Sequence, residues 1–477
     1  MEKSTESQEL QELLLKKWEN GWILINQDEN EKVFDFSNGY KNFLDEGKTE
    51  RESAKEIIKL AKEKGFISLE KAIEQKQKIE EGQKFYSEYK NSLIALFVIG
   101  KKDLTEGMNI IGSHIDAPRL DIKPNPLFEE QELAFFKTHY YGGVKKYQWT
   151  TIPLSLHGVV ILQNGGKIDI KIGEDNDDPV FYISDLLPHL AKEQMEKKMG
   201  EGITGEGLNL IVGSIPYRQE DIKEPIKLNI LRLLNEKYGI VEEDFASAEL
   251  EVVPAYNAKD VGFDRSMIVA HGQDDRICAY TSLQGILNIN NPERTAVALM
   301  TDKEEVGSQG NTGMKSAFFE NMVAELIELT HEIPNNLMVR RAMANSKVLS
   351  ADVNAGFDPN FPDTHDKRNA AYLGKGVVLT KYTGARGKSG SNDASAEFVG
   401  EIRRLFNENG VVWQMGELGK VDKGGGGTIA YILANYGMDV VDCGPALFSM
   451  HAPMELASKL DIYMTYKAYK AFYSTLL

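Results

Sequence analysis

A chain of 477 residues is longer than one ordinary core supports, so two or three domains are expected. A formal charge of −17 and a pI near 5.1 exclude phosphate-backbone binding as its main business, while 42% hydrophobic and 27% charged residues are ordinary for a globular protein. No run reaches the ~20 apolar residues of a membrane span. The polar start M-E-K-S-T-E-S-Q-E-L has no signal core, and two cysteines, Cys278 and Cys443, imply no disulfide framework, so a cytoplasmic protein is expected.

The first ninety residues read as mainly helical. Thr49 with Glu52 forms a capping-box pattern, Ala54, Ile57, Ile58 and Ala61 share one helical face, and Gly65 supplies the stop. The charged stretch 75–90 reads as a solvated helix. Apolar strands follow at 93–99 and 108–113, and the second delivers His114 and Asp116 at its far end. After Asp121 the pattern changes: 154–162 alternates, Asn164-Gly165-Gly166 signals a hairpin before 167–172, and 225–239 reads as an amphipathic helix from Pro225 to Gly239. Residues 122–248 therefore read as a smaller α+β domain inserted into a first domain made of 1–121 and 249–477.

From Leu250 onward strands and helices alternate, with strands at 250–254, 267–270, 296–300, 347–350, 376–380, 411–413 and 439–442. A helix over 394–409 is expected to be capped by Asn392 or Ser391, and the last helix to run over 455–472. This spacing predicts an α/β fold, a doubly wound and mostly parallel sheet with helices on both faces. The glycines at 424–427 are not followed by Lys-Ser or Lys-Thr, so they form no phosphate-binding loop; a close backbone approach at a helix start is expected instead.

In open α/β sheets ligands gather at the carboxyl ends of the strands. His114 and Asp116 stand at such an end, Asp274 follows 267–270, and Asp352 follows 347–350. Glu304 and Glu305, in T-D-K-E-E-V-G, follow 296–300, and His451 lies beyond 439–442. On extended backbone the two neighbouring glutamates point opposite ways, one toward a metal and the other toward water. Each residue alone has a bland reading: a rim histidine, a helix cap, a solvated acidic pair. Together they form a nitrogen/oxygen donor set that suits zinc, cobalt or manganese. The other histidines read as structural, with His271 and His365 the least settled.

The stretches G-S-H-I-D-A-P-R-L, G-Q-D-D-R-I-C-A, T-D-K-E-E-V-G-S, S-A-D-V-N-A-G-F-D-P-N-F and S-M-H-A-P-M-E-L resemble the aspartyl aminopeptidase family of dinuclear zinc exopeptidases, in its bacterial form. The resemblance runs from about residue 50 to the C-terminus and takes in Tyr141-Gly142-Gly143 and Trp149. It implies that Asp274 bridges two divalent ions, that His114 and Asp352 complete one site, and that Glu305 and His451 complete the other. Asp116 would accept a hydrogen bond from His114, and Glu304 would be the general base toward a water held by both ions. It further implies peptide substrates with a free N-terminus, an inserted domain that makes dimer contacts, and a twelve-subunit shell built from dimers.

The chain departs from the acid-specific members where they contact the substrate side chain. Ala355 and Asp358 replace two histidines, Phe361 replaces a tyrosine, Thr380 stands one residue before Lys381 where a lysine is expected, and a histidine contributed by a neighbouring subunit is replaced near Glu193. A neutral or apolar N-terminal residue is therefore as compatible as an acidic one, which Lys381 and Arg386 leave open. Other readings are a deacylase or carboxypeptidase of the same clan, a metal-free glycosidase using Glu304, and a non-catalytic oligomeric binding protein.

Overall fold

The computed structural model describes residues 2–15, 19–219 and 221–475. Nine strands form a central mixed sheet, whose middle runs in spatial order Leu93–Val98, Ala296–Thr301, Asn109–His114, Lys347–Ser350, Asp439–Gly444. The last four are mutually parallel, so their C-terminal ends share one edge of the sheet. Every residue of Leu93–Val98, Asn109–His114 and Ala296–Thr301 is buried, which is why each reads as a continuous apolar run rather than an alternating one. Successive side chains enter different cores. Ala95, Phe97, Ile110, Val297 and Leu299 pack with the helices Phe318–Thr330 and Asn336–Ala344. Ile94, Leu96, Ile111, Ala296 and Ala298 pack with Glu50–Glu63, Gln273–Leu287 and Lys459–Ser474. Two helical layers on one sheet is the doubly wound arrangement expected.

A second sheet of six strands is antiparallel throughout. Its order is Lys167–Ile172, Leu154–Ile161, Ala248–Pro254, Arg119–Glu130, Leu133–Tyr141, Leu210–Gly213, around a separate core that includes Leu120, Trp149, Leu154 and Val252. A third sheet has five short strands: Lys259–Val261, Met267–Ala270, Glu455–Ser458, Ala446–Phe448 and Asn354–Ala355.

Five expectations change, the first being that 250–254 pairs within the second, antiparallel sheet rather than the central one. The stretch 75–90 is no solvated helix: the helix ends at Glu74, and Lys84–Tyr89 is a strand pairing antiparallel with Leu93–Val98. Its charges face outward while Phe85 and Ser87 are buried, so sheet pairing overrides the polar composition. The segment 267–270 belongs to the third sheet, not the central one. Glu455–Ser458 is a strand held by pairing with Met267–Ala270, and the last helix starts only at Lys459. The helix Ala396–Glu408 is capped by Ser395, whose hydroxyl accepts from the Phe398 N–H at 3.2 Å, while Asn392 donates to the Val440 carbonyl. Cys278 and Cys443 are buried and unpaired. No described helix is long and apolar enough to cross a membrane.

Candidate metal centre

The C-terminal edge of the central sheet opens into a cleft of about 480 Å³, lined among others by Asp274, Glu304, Glu305, Asp352, Thr380 and His451. His114 is the last residue of Asn109–His114 and only 2% exposed. Its Nδ1 lies 3.0 Å from the Asp116 carbonyl oxygen. A carbonyl can only accept, so Nδ1 carries the hydrogen and Nε2 turns to Asp274 Oδ1 at 3.4 Å and Glu304 Oε2 at 3.9 Å. His451 repeats the arrangement from the opposite side. Its Nδ1 donates to the Gly143 carbonyl at 3.0 Å, and its Nε2 faces Asp274 Oδ2 at 3.1 Å and Glu305 Oε2 at 3.3 Å. Asp274 thus offers one oxygen to each imidazole. Donor atoms of His114, Asp274 and Asp352 lie within 4.8 Å of one another, as do those of Asp274, Glu305 and His451.

Glu304 and Glu305 are not on extended backbone. They sit in a 3-10 turn, Glu304–Val306, entered through Lys303 in the left-handed region at φ 65°. The turn, rather than strand alternation, separates the two carboxylates: the Glu305 side chain is 3% exposed and that of Glu304 18%. Asp116 holds this turn. Its Oδ1 accepts from the Glu304 N–H at 3.1 Å and its Oδ2 from the Glu305 N–H at 3.2 Å. Its carboxylate also lies 3.2 Å from His114 Nδ1, so the expected contact exists, but the shorter one to that ring runs through the Asp116 main chain.

The electrostatics ask for positive charge. Burial, then the Asp274 charge, pushes Glu305 well above the usual carboxylate range. Burial, then Asp275 and Asp274, does the same to Asp352, and burial raises Glu304. Against its own burial, hydrogen bonds with His114 and His451 hold Asp274 below its ordinary value. His451, also against burial, is pushed up to about 10 by Asp274 and Glu305. Asp274, Glu304, Glu305 and Asp352 outnumber the two imidazoles, and Glu305 Oε1 is buried with no partner. Protons on two rings cannot balance that set. Two divalent cations can, and a mixed imidazole/carboxylate shell is what zinc takes.

Residues 43–473 match the peptidase M18 family, the aminopeptidase I zinc metalloproteases. The chain belongs to this family. It is 52% identical over 459 residues to a probable M18 family aminopeptidase 1 of Clostridium acetobutylicum, covering 96% of this chain and 98% of that one. The crystal structure of an M18 aminopeptidase from Thermotoga maritima superposes with a TM-score of 0.92 at 47% identity, over 97% of this chain and 100% of the other. The S. cerevisiae mApe1 dodecamer shares the fold at 22% identity and a TM-score of 0.75, over 92% of this chain and 96% of the other. This M18 protein is accordingly a zinc metallo-aminopeptidase, a hydrolase that removes residues from peptide N-termini.

Several contacts around the centre escaped the sequence reading. Glu455 is 1% exposed; its Oε1 accepts from the His451 N–H at 2.7 Å and its Oε2 from the Asp274 N–H at 3.0 Å. One carboxylate thereby fixes the main chain of both, and burial pushes it up to about 8. Its signal was the spacing His451-x-x-x-Glu455 within a motif already singled out. Asp275 Oδ2 accepts from the His114 N–H at 3.2 Å. Tyr141 donates to Asp116 Oδ2 at 2.7 Å, which no local pattern announces. His271 is buried beside Trp149, and His365 packs on Phe357; neither joins the donor set.

The specificity positions scatter. Thr380 lines the cleft and its hydroxyl accepts from Asn354 Nδ2 at 2.7 Å. Lys381 turns to Asp393 at 2.9 Å, Arg386 and Glu193 are exposed, and Asp358 accepts from the Asn360 N–H within its own turn. Among the described residues no lysine or arginine lines the cleft. Its wall does include Gly425, at φ 132°, where a β-carbon would stand 2.5 Å from the Gly384 carbonyl oxygen; this is the close backbone approach read from the glycine run, ahead of the helix Ala430–Ala434.

Proposed function

We propose that Asp274 bridges two zinc ions, with His114 and Asp352 completing one site and Glu305 and His451 the other, and that Glu304 is the general base. The observation that carries this reading is the pair of Asp274 oxygens, each opposed to a different Nε2 at 3.4 and 3.1 Å. When bound, the two ions supply Lewis acidity toward the scissile carbonyl and acidify the attacking water. Glu304, the more exposed of the glutamate pair, accepts the proton from that water and returns it to the leaving amine. Glu455 and Asp116 hold the backbone of the donors, so the set is preorganised before substrate arrives.

The preferred N-terminal residue on this reading is neutral or apolar. Val353, Leu418, Met450 and Thr380 line the cleft, and Lys381 is engaged by Asp393. A panel of aminoacyl amides, run with zinc, cobalt and manganese at neutral pH, tests both points. Leucyl and methionyl amides are expected to be cleaved faster than aspartyl and glutamyl amides; the reverse order rejects the pocket assignment, and no cleavage of any member rejects the site.

The reading extends to organisation: residues 1–121 and 249–477 as the catalytic domain, 122–248 as an inserted dimerisation domain, and a cytoplasmic homo-oligomer, a dodecamer built from dimers. Support comes from Val180, Leu186, Leu187, Leu190, Met195 and Met199, all exposed and apolar within the insertion, and from the dodecamer of the yeast relative. Sedimentation velocity of the purified protein decides; a monomer at micromolar concentration rejects it.

A further inference from the structure

The six-stranded sheet reaches the metal centre at the end of one of its strands. Its strand Leu133–Tyr141 ends on Tyr141, and Gly142 and Gly143 follow against the donors. A β-carbon at Gly142 would stand 3.4 Å from Glu305 Oε2, and one at Gly143 would stand 3.2 Å from His451 Nδ1. The Tyr141 ring is clamped from the same sheet: the Arg119 guanidinium lies over its face at 3.9 Å, and Arg119 is in turn held by Asp121 and Glu251, each at 2.9 Å. From that fixed ring the hydroxyl donates to Asp116 Oδ2 at 2.7 Å.

The Asp116 carboxylate is fully buried and serves one N–H of the glutamate turn with each oxygen. Those two bonds and the phenol, which holds Oδ2 from a third direction, together define its rotation. Remove the phenol and Oδ2 keeps one weaker partner at 3.2 Å in a low-dielectric interior, where an unfilled acceptor is costly. The carboxylate then turns or admits water, and the Glu304–Val306 turn follows it.

We infer that Tyr141 is a positioning residue of the peptidase reaction: its hydroxyl fixes the rotation of Asp116 and, through it, the turn that carries Glu304 and Glu305. The inference rests on the proposed roles of Glu304 as base and Glu305 as ligand. It makes the inserted sheet part of the catalytic apparatus, because the group that sets the turn is delivered by a strand of that sheet.

Tyr141→Phe tests it, since the ring and its stacking on Arg119 remain while the hydroxyl goes. The expected result is a kcat on a leucyl amide lower by about 10–100-fold with KM within about twofold, together with zinc affinity weakened by about 10-fold in a chelator competition. Asp116→Asn and the double variant complete a cycle. If Tyr141 acts through Asp116, adding Tyr141→Phe to Asp116→Asn lowers kcat by less than twofold further. Wild-type kcat and zinc affinity in Tyr141→Phe, full additivity in the cycle, or a rise in KM alone overturns the inference. Should the wild-type protein cleave no aminoacyl amide, the functional reading fails, and the zinc competition still decides whether Tyr141 sets the donors.

Discussion

His114 and His157 are both buried, both lie on strands and both face carboxylates, yet their surroundings differ in the balance of charge. His157 places Nδ1 2.9 Å from Glu52 and Nε2 3.0 Å from Glu174, and Lys48 closes on Glu174 at 2.6 Å. Two cations meet two anions, and nothing is left to add. His114 gives one nitrogen to a main-chain carbonyl and aims the other at carboxylates that outnumber the imidazoles facing them. In the first cluster the chain supplies the positive charge; in the second the charge must come from outside. Where each ring hydrogen goes, and how many carboxylates remain, distinguishes a structural histidine from a candidate ligand better than burial does.

The largest expected effect breaks the chemistry while leaving the donor set intact. Glu304→Gln is predicted to retain both zinc ions by elemental analysis and to lose roughly 10²–10⁴-fold in kcat. A variant with near wild-type turnover would remove Glu304 from the base role. Next in size is removal of the external charge. Dialysis against a chelator is expected to abolish peptidase activity and lower the melting temperature of the wild-type protein, with recovery on adding zinc. Asp274→Asn should lose both ions together, whereas His157→Gln should keep them; equal metal content in the two variants would erase the distinction between the clusters.

The third effect is on stability. His157→Gln breaks a buried ion cluster and is predicted to cost up to about 3 kcal/mol in urea unfolding. Its pH dependence has a definite sign. Burial opposes the charged ring, but hydrogen bonds to Glu174 and Glu52 outweigh it and raise His157 above its ordinary value. That contribution is fully present below the unfolded histidine value of about 6.5 and is lost as pH rises through the folded value. Glu174, buried yet held down to about 2 by His157 and Lys48, contributes above its ordinary range and loses that contribution as pH falls through the folded value. The gap between wild type and His157→Gln should therefore be widest near pH 5–6 and narrow toward alkaline pH. A gap that widens with pH contradicts the assignment. The smallest effect adds a cation from the chain to the catalytic cleft: Thr380→Lys is expected to raise the glutamyl-to-leucyl ratio of kcat/KM by about tenfold. An unchanged ratio would place Thr380 away from the substrate side chain.

Much of the fold was legible because burial on both faces leaves uninterrupted apolar runs, as in Leu93–Val98 and Ala296–Thr301, and because Thr49 with Glu52 forms the capping box where the pattern put it. His114, Glu304, Glu305 and Asp352 could be picked out locally, since each follows such a run. What local patterning could not supply was the third sheet. Met267–Ala270 and Glu455–Ser458 lie nearly two hundred residues apart and share a sheet because they pair with each other, with Ala270 opposite Glu455. That pairing brings Asp274 and His451 to the centre from a different sheet than the one whose edge forms the cleft, and it lets Glu455 bond to both. Lys84–Tyr89 was misread for the same reason: its charges describe the solvent side, while its backbone is satisfied by a neighbour.

The sequence by itself determined which side chains are candidates to bind metal and move protons, because residue type and position after a buried strand are local properties. Only the tertiary structure decided how they are held. The Asp116 carboxylate beneath the turn of Glu304 and Glu305, the Tyr141 hydroxyl from another sheet and the Glu455 bond to the Asp274 N–H are contacts between segments far apart in the chain. Hydrogen-bond geometry at that range follows from packing, and packing is a property of the folded chain as a whole.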